Sequence, residues 1–576
     1  MDDALKLIKA NRGIDIDLDK IPLDDKAACD LLTRGDTPGV FQLESDGITK
    51  LVMDLRPEHF EDLIPLVALY RPGPLGSGMV EDFIKRRHGE MEITYLHPLL
   101  EPILKDTFGV ILYQEQVMQI ASAMGGFSLG QADLMRRAMG KKKESVLKAQ
   151  RESFIAGSVQ NNIPEAIANE VFDLLVYFAG YGFNKSHSAA YAYIAYQTAY
   201  LKAHYYPEFM AATMSSFMTN VDKLTYYIND CKKHGVEVLG PDINYGEQAF
   251  AVQNGAIRFG LGGVKSVGDN AVEQLLAERH RNGLYSSILD FCKRVDSRVV
   301  NKRLLESLIR CGAMDSFKEN RNQLLAMYEG AQSLGQRLQK EEARGAMSLF
   351  GDEPSVAETI EVPKLDDLTM DEKLRDEKEY TGFYISGHPL NSYEAELKGL
   401  FEVGKLNENP EQYDKQEVTV GGLIVEKTDR ITRRNDVMSI IRLEDFSGSA
   451  SIVVFPQKFQ QYQAMLAVDM AVRISGRIDA DEKGVQIIAD TIKPLKVNYD
   501  TAKRIVIHIR PGFDTAEASN ALKKLLLKAT GTVPVTFYLH RQRKRIDVAK
   551  EYYFAPGTEI CRAVEEILGP DSVEIL

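Results

Sequence analysis

The stretch Glu417-Val-Thr-Val-Gly-Gly-Leu-Ile-Val425 begins a change from helical to strand-like periodicity. Before it, apolar residues recur mostly every three or four positions, whereas after it they alternate with polar ones, as in strands that bury one face. The alternation repeats in short segments: Val418-Thr-Val420, Ser439–Leu443, Ala450–Phe455, Ala471–Ile478 and Val485–Ile488. Short strands at this spacing predict a small β-barrel.

The sequence on either side predicts helices before the barrel and a small α/β domain after it. Tyr113–Met124 and Glu165–Phe178 carry apolar residues at helical intervals, while the prolines and glycines of Arg71–Gly78 predict a non-helical loop between helices. After the barrel, a strand, a helix and a strand are expected at Arg504–Ile509, Ala516–Lys528 and Val533–Leu539. The predicted fold class is therefore multidomain α+β.

Changes in composition place the domain boundaries. Residues 1–215 are predicted to form one helical domain, and residues 216–330 a second, mainly helical one around a glycine-punctuated stretch. Residues 331–405 are polar, charged and interrupted by prolines, which predicts a linker. The barrel is expected at 406–498 and the α/β domain at 499–576.

Composition excludes several classes of protein. The 576 residues are 44% hydrophobic and 27% charged, which is typical of globular chains. No apolar run is as long as a membrane span, and Met1-Asp-Asp does not begin a secretory signal, so a cytoplasmic protein without membrane contact is expected. The five cysteines contain no C-x-x-C pair, which argues against disulfides and a cysteine zinc site. With a net charge of −13, phosphate binding would depend on local basic clusters.

Three stretches of the first domain are candidates for phosphate binding. The first is a Gly-Pro-rich loop that presents an arginine, whose guanidinium matches phosphate oxygens. The second has six basic residues against two acids between residues 131 and 148, and the third would begin a helix, where the dipole favours an anion. In chain order, the candidates are Arg71, Arg136, Arg137, Lys141, Lys142, Lys185, Ser186 and His187. An interhelix turn, a solvated helix face and a capped turn with a structural histidine are the alternatives.

The glycine-punctuated stretch Phe259–Leu276 is a candidate for DNA binding. Its Val-Lys-Ser-Val-Gly turn, expected between two short helices, resembles a helix-hairpin-helix element, whose exposed amides contact duplex phosphates without reading sequence. The residues expected at the DNA are Gly263, Lys265, Ser266 and Gly268.

The predicted barrel resembles an oligonucleotide-binding fold, whose face can bind single strands. Arg433 and Arg434 would form a basic hairpin tip on it. Phe446 and Phe455 are candidates for stacking on bases, although aromatics that alternate in a barrel are more often core residues. Whether the barrel binds a strand is left open by the sequence.

A possible metal site is rejected. Asp15-Ile-Asp17-Leu-Asp19 has the alternation that places carboxylates on one strand face, as a two-metal site requires. It follows Asn11-Arg-Gly13 and runs into Pro22-Leu-Asp-Asp25, which is typical of a surface connection. No catalytic residue and no metal ligand is predicted in this chain.

Six motifs carry a resemblance to a known family. They are Phe41-Gln-Leu-Glu-Ser45, Leu69-Tyr-Arg-Pro-Gly-Pro74, Ile111-Leu-Tyr-Gln-Glu-Gln-Val117, Arg136-Arg-Ala-Met-Gly-Lys-Lys142, Gly180–Tyr191 and Gly382-Phe-Tyr-Ile-Ser-Gly-His-Pro-Leu390. In this order they resemble the alpha subunits of bacterial DNA polymerase III, the C-family replicative polymerases. The resemblance covers essentially the whole chain and corresponds to the C-terminal half of such a subunit.

The resemblance implies a layout and a function. Residues 1–215 would be the fingers, 216–330 a duplex- and clamp-binding region, 406–498 an oligonucleotide-binding domain and 499–576 a partner-binding domain. The complete enzyme would add deoxynucleotides from their triphosphates to a primer 3′ end on a DNA template, using Mg²⁺. A sliding clamp, a clamp-loader subunit and a proofreading exonuclease are the implied partners.

Two departures from the family qualify that expectation. The metal-binding aspartates of the family lie in a palm domain upstream of the fingers, and no such stretch occurs here, so this chain alone is expected to be inactive and Mg²⁺ to be held by residues outside it. The family's clamp-binding peptide corresponds to Ala346-Met-Ser-Leu349-Phe350, where alanine replaces glutamine, so Leu349 and Phe350 are expected to bind the clamp weakly. A non-catalytic DNA-binding scaffold and one half of a split polymerase are the alternatives.

Overall fold

The computed structural model describes most of the chain, in two compact units of contacting residues, Met1–Thr213 and Met214–Leu576. The residues described are 1–76, 78–140, 144–179, 182–343, 360–408, 413–432, 434–481, 484–495, 504–529, 531–542, 544–555, 558–569 and 572–575. None of the helices in these ranges is both long and apolar enough to span a membrane.

The first unit is helical, as predicted. Its helices, the last of which extends just past the boundary, are α1 Asp2–Arg12, α2 Lys26–Thr33, α3 Asp46–Leu55, α4 Leu63–Leu69, α5 Pro72–Gly76, α6 Met79–Arg87, α7 Glu101–Leu104, α8 Gln114–Gly125, α9 Leu129–Gly140, α10 Glu144–Gln160, α11 Glu165–Ala179, α12 Lys185–His204 and α13 Tyr206–Ser215. One apolar core joins α2, α3, α4, α6 and α12, and a second joins α8 to α11. The small side chains Ala192, Ala195 and Ala199 on α12 allow α2 and α4 to pack closely against it.

The prediction that Arg71–Gly78 cannot be helical is wrong for residues 72–76. These form the short helix α5, and the Leu75 amide donates to the Arg71 carbonyl at 3.0 Å. Pro72 is the first helical residue, where a missing N–H costs nothing and the fixed φ of proline suits the helix. Proline at this position starts a helix rather than preventing one.

The second unit begins with helices and a small sheet and ends with two domains rich in strands. Its elements are α14 Val221–Lys233, β1 Val238–Leu239, β2 Ala251–Gln253, β3 Ala256–Arg258, α15 Asp269–Asn282, α16 Ile288–Arg294, α17 Lys302–Arg310, α18 Arg321–Ala343, α19 Met370–Thr381, α20 Glu394–Leu397, α21 Lys405–Glu408, β4 Glu417–Ile431, β5 Val437–Glu444, β6 Ser449–Val454, α22 Pro456–Tyr462, β7 Ala471–Asp481, β8 Gly484–Pro494, β9 Ile505–Ile509, α23 Ala516–Lys528, β10 Val535–Leu539, β11 Lys544–Asp547, α24 Thr558–Leu568 and β12 Val573–Ile575. The sheet β1-β3-β2, whose strands have two or three residues each, is not apparent in the sequence.

Part of the predicted linker is folded. Helices α18 and α19 occupy residues 321–343 and 370–381, and both pack on α17. Arg321, only 4% exposed, donates to Asp315 at 2.7 Å and to Glu377 at 3.1 Å, while the other carboxylate oxygen of Glu377 accepts the amides of Ile385 and Ser386. Glu377, a charged residue of the predicted linker, is therefore buried together with a partner of opposite charge, which offsets the cost of its burial.

The predicted barrel is confirmed. Strands β4-β5-β6-β8-β7 close into a barrel in which β6 and β8 are parallel and the other neighbours antiparallel. Its interior is filled by alternating aliphatic residues, among them Val420, Ile441, Leu443, Ile452, Ile474 and Ile487. The expectation that Phe446 and Phe455 are core residues is wrong, because both lie outside the strands and are 40% and 46% exposed.

The C-terminal domain has the predicted strand–helix–strand order. Its sheet runs β11-β10-β9-β12, with β9 and β10 parallel, and its apolar face packs on α23 and α24.

His388 lies between α19 and α20 and contacts the barrel. Its ring packs on Phe446, with centroids 4.8 Å apart, and on Tyr384 at 4.9 Å, and its Nδ1 accepts the Leu390 amide at 3.1 Å. Burial, with a contribution from the charges of Lys232 and Lys378, lowers the pKa of His388 from 6.5 to about 4. A protonated His388 is therefore disfavoured in the folded state.

We expect acid to destabilise this region through His388. Because the folded-state pKa is depressed, the neutral form stabilises the fold above pH 6.5, and that contribution is lost as the pH falls towards 4. Between pH 7 and pH 5 the loss should be about 2 kcal/mol. Urea unfolding of the wild type and of His388→Gln at both pH values measures it. The free energy of unfolding of the wild type minus that of His388→Gln should be smaller at pH 5 than at pH 7 by that amount. An equal value at both pH values would contradict the assignment. In the control His280→Gln, which replaces an exposed histidine, the difference should not change in this way.

Candidate nucleotide and DNA interfaces

A short parallel bridge brings the starts of two helices together. The Phe183 amide donates to the Leu112 carbonyl at 3.1 Å, and the Gln114 amide donates to the Phe183 carbonyl at 2.9 Å. Helix α8 begins directly after Tyr113, and α12 begins at Lys185. Their N-terminal turns therefore lie side by side.

Glu115 binds the end of α12 that the sequence predicts to bind phosphate. Its carboxylate accepts the Lys185 amide at 3.0 Å and the Asn184 side-chain amide at 3.0 Å, while Asn184 caps the helix through the His187 amide at 2.8 Å. The Lys185 ammonium lies 3.8 Å from Asp106. An acidic side chain thus already uses the favourable potential of this helix end.

Arg71 begins a row of aromatic rings that contact one another on this surface. Its guanidinium carbon lies 4.4 Å from the centre of the Phe183 ring, and burial lowers the pKa of Arg71 from its ordinary value. The row continues from Phe183 to His187 at 5.4 Å, to Tyr191 at 4.3 Å and to Phe41 at 5.6 Å between centroids. Four motifs that are far apart in the sequence meet here, those containing Phe41, Arg71, Tyr113 and Phe183. Ser186, beside this row in the first turn of α12, is exposed.

Arg136 and Arg137 lie on α9, which packs on the second core. Arg136 donates to Asp133 at 2.8 Å, and Arg137 donates to the other oxygen of the same carboxylate, also at 2.8 Å. The hydrogen bond from Arg136 and the charge of Arg137 lower the pKa of Asp133. The Arg136 and Arg137 side chains are 21% and 64% exposed, so both remain accessible to a ligand. Lys141 and Lys142 lie outside the described residues.

A cavity of about 300 Å³ opens beside Lys185. Its walls combine apolar residues such as Leu55, Ile64 and Phe83 with Asp106 and the ion pair between Asp62 and Arg87, in which N and O are 2.8 Å apart.

The predicted hairpin is a tight turn on two buried valines. Val264 and Val267 are 2% and 7% exposed and hold Lys265 and Ser266 outward, with Ser266 in the left-handed region at a φ of 67°. A three-residue 3-10 turn, Leu261–Gly263, precedes it where a short helix was predicted, so that part of the prediction is wrong.

The hairpin presents several amides to solvent. Within the described residues, the amides of Ser266, Gly268, Asp269 and Asn270 have no hydrogen-bond acceptor, and all four residues are exposed. The Lys265 amide instead donates to the Tyr380 carbonyl at 2.8 Å, so Lys265 can contribute only its side chain. Such a cluster of outward amides at a helix start suits a phosphate group.

Gly263 has a packing role. A Cβ there would lie 2.7 Å from the Phe259 ring, and the Gly263 amide donates to the Gly260 carbonyl at 3.0 Å. The structure therefore explains this glycine by close packing of the turn.

Arg303 is a neighbour that the sequence interpretation missed. Its Nε donates to the Ser266 hydroxyl at 3.0 Å from the first turn of α17. The signal was present: Asn301 caps α17 through the Leu304 amide at 2.9 Å, and Lys302 and Arg303 follow it directly.

The barrel tip is a turn between β4 and β5, as predicted. The Thr432 amide donates to the Asp436 carbonyl at 2.8 Å, Asn435 is left-handed, and Arg434 is exposed. Arg433 and the clamp-motif residues Leu349 and Phe350 lie outside the described residues.

Comparison with known proteins agrees with this architecture. Residues 1–162 match the bacterial DNA polymerase III alpha subunit finger domain, 235–324 a helix-hairpin-helix motif, and 418–495 an OB-fold nucleic acid binding domain. DNA polymerase III subunit alpha of Pseudomonas aeruginosa is 38% identical over 98% of this chain and 50% of its own length, and that of Escherichia coli K12 is 37% identical over 99% and 51%. The chain belongs to the DNA polymerase III alpha-subunit family. It spans about half the length of the relatives it matches, the C-terminal half.

The family extends to distant bacteria. The alpha subunit of Thermus aquaticus is 39% identical over 93% of this chain and 44% of its own length. Solved structures match only in part: a mitochondrial single-stranded DNA binding protein of S. cerevisiae is 16% identical over 15% of this chain and 98% of its own, with a TM-score of 0.13, too low to support an argument. The predicted fold class, with helical fingers, helix-hairpin-helix region and barrel, is confirmed by the family matches.

We expect Glu115 to stabilise the first turn of α12. In Glu115→Ala the Lys185 amide loses its acceptor, while the Asn184 cap remains, so local opening should become easier by about 1 kcal/mol. Hydrogen exchange of the Lys185 amide should accelerate about fivefold. The control Glu165→Ala removes a carboxylate from the first turn of α11 that has no hydrogen bond within the described residues. Equal exchange at Lys185 in both variants would exclude the capping role.

Proposed function

We propose that this chain provides nucleotide closure, DNA grip and partner docking to a polymerase that adds deoxynucleotides to a primer 3′ end on a DNA template. The observation that carries the proposal is the hairpin at residues 264–268, whose outward amides and adjacent Arg303 form a phosphate-binding surface inside the segment that matches a helix-hairpin-helix motif. Family membership supports the wider role.

Duplex DNA would bind the hairpin through its backbone. The amides of Ser266 and Gly268 can donate to one phosphate, and the side chains of Lys265 and Arg303 supply positive charge beside it. These contacts carry no base recognition, as a replicative enzyme requires because it copies any sequence. Arg434, at the barrel tip, and Arg433 are proposed as contacts to a single-stranded template.

The incoming triphosphate would use the basic residues of the first unit. Arg71 packs on the Phe183 ring and donates its Nε to the Ala68 carbonyl at 2.8 Å, and a guanidinium held in this way matches the oxygens of a phosphate. Arg136 and Arg137 would release Asp133 and bind phosphate oxygens instead. By resemblance, the same ligand is assigned to five further residues: Lys141, Lys142, Lys185, Ser186 and His187.

The chemical step requires carboxylates that hold Mg²⁺, and Asp15, Asp17 and Asp19 do not fit that role. Asp15 pairs with Lys9 at 2.9 Å, and Asp17 pairs with Lys20 at 2.8 Å and accepts the Asp19 amide. All three residues are exposed, and the Asp15 and Asp17 carboxylates are already engaged by neighbouring lysines. We therefore assign Mg²⁺ binding to the part of the subunit that this chain does not align with, and propose that this chain alone does not extend primers.

The remaining partners are assigned by family membership. Leu349 and Phe350 would enter an apolar pocket of the sliding clamp, and the C-terminal α/β domain would bind a clamp-loader subunit. A proofreading exonuclease would join the same assembly.

The hairpin contact can be tested with primed DNA. Replacing Lys265 and Arg303 together by glutamine removes two cations beside a duplex phosphate, so the slope of log K against log salt concentration should flatten by about 1.8. Fluorescence anisotropy of a labelled primer–template over a salt series measures it. Lys6→Gln with Lys20→Gln is the charge-matched control, in lysines that are 68% and 82% exposed. A slope equal to that of the control would remove the hairpin from the DNA interface.

The triphosphate contact can be tested in the complete subunit. Arg136→Ala with Arg137→Ala should lower kcat/KM for deoxynucleotides by at least about tenfold, since each charge-assisted hydrogen bond contributes about 1.5–3 kcal/mol. Binding of primed DNA should be retained, which shows that the variant folds. Unchanged KM and kcat for the nucleotide would rule out the phosphate contact, and Lys6→Ala with Lys20→Ala provides the control.

A further inference from the structure

The outer surface of the barrel has a second cationic site, on strands β7 and β8. A cavity of about 210 Å³ is lined by Arg473, Ser475, Thr491 and Lys493. In the strand register Arg473 stands opposite Lys493, and Ser475 stands opposite Thr491. Two cations and two hydroxyls therefore face the same small space.

This pairing of like charges needs a counter-ion. Cations directly opposite each other across two strands repel, and proteins usually place an acid in one of the two positions. Within the described residues, neither the Arg473 side chain nor the Lys493 side chain forms an ion pair or a hydrogen bond. Asp490, the acidic residue nearest to Lys493 in sequence, is exposed and forms no ion pair within the described residues. Both side chains thus keep all their donors for a ligand.

The site is fixed by the fold. Ser475 shares a hydrogen bond of 2.9 Å with Thr419 on β4, which holds the Ser475 hydroxyl in place. Immediately after Ser475, the register shifts by one residue and leaves Asp490 unpaired. A Cβ on Gly476 would lie 2.1 Å from the Ile488 carbonyl oxygen, so this close strand approach requires glycine. Closed-barrel strands, rather than mobile loops, carry every group.

We propose that this cluster binds a phosphate group. An arginine fork, an ammonium and hydroxyl donors around a cavity of this size match the oxygens of a phosphate, and the local charge is positive in a chain of net charge −13. The group is either a diester in a nucleic-acid strand or a free phosphate or pyrophosphate.

The site is separate from the surface usually used by this fold. Oligonucleotide-binding barrels bind strands on the second and third strands and on the loops after the first and fourth. Here those strands are β5 and β6, whereas the cluster lies on β7 and β8. Arg473 and Lys493 also lie at the opposite end of the β7–β8 pair from Asp481 and Gly484, which are paired in the strand register. A nucleic-acid strand at this site would extend the contact beyond the proposed barrel face, and only this reading rests on the proposed function.

The test compares Arg473→Gln with Lys493→Gln against a matched control in the same domain. The control is Lys405→Gln with Lys415→Gln, which removes the same charge from two lysines that carboxylates already engage. Binding of a labelled oligothymidylate is followed over a salt series, and binding of pyrophosphate by calorimetry. Arg473→Lys keeps the charge but loses the guanidinium fork, so it should bind more weakly than the wild type and more tightly than Arg473→Gln with Lys493→Gln.

For a nucleic-acid phosphate, the log K against log salt slope should flatten by about 1.4 in the first variant and not in the control. For a free phosphate, the salt slope of oligothymidylate binding should stay unchanged in both variants. Calorimetry should then show one pyrophosphate site fewer in Arg473→Gln with Lys493→Gln than in the wild type, and no loss in the control. No change in either experiment overturns the inference. A wild-type chain that binds neither primed DNA nor the oligothymidylate contradicts the proposed function instead, and the pyrophosphate experiment then decides this site independently.

Discussion

Two backbone hydrogen bonds, between Phe183 and the residues Leu112 and Gln114, hold the candidate nucleotide surface together. They fix the start of α8 beside the start of α12, although nearly seventy residues separate the two segments in the sequence. Glu115 can reach the α12 amides and Arg71 can lie on Phe183 only because this bridge sets the spacing. The two bridged residues, Tyr113 and Phe183, are aromatic. The contact that aligns the helices therefore also supplies the Phe183 ring on which the Arg71 guanidinium packs.

The parts of the fold that sequence predicts best are those in which local pattern and burial agree. The barrel strands were found because each buries one face, so that alternation in the sequence reflects the closed interior. Helix α23 has the bounds predicted for it, with its cap at Thr515. The second half of α18 and helix α19 were assigned to a linker because their composition is polar and charged, although Arg321 at the start of α18 pairs with the buried Glu377 of α19. Polar composition alone cannot distinguish such a pair from a solvated linker.

The candidate site shows the same division. The sequence identified the basic residues and the motif Gly180–Tyr191, because residue types can be read directly from it. It did not identify the partners: Glu115 at the α12 terminus, Asp133 between two arginines, and Arg303 beside the hairpin. Glu115 and Arg303 come from segments distant in sequence from the residues they contact. Asp133 lies one helical turn before Arg136 and Arg137 on the same helix. A count of cations in a window therefore overstates the charge that a ligand meets.

The engaged cations are nevertheless suited to exchange. Asp133 lies at the surface, so water and salt screen its ion pairs with Arg136 and Arg137 and make them weak. A triphosphate carries more charge than one carboxylate and can accept from both guanidinium groups at once, so replacing Asp133 costs little compared with what the new contacts provide. Until then, the carboxylate holds two long side chains in one direction and lowers the entropy lost on binding. Arg473 and Lys493 differ, since no carboxylate in the described part of the chain must leave before an anion binds.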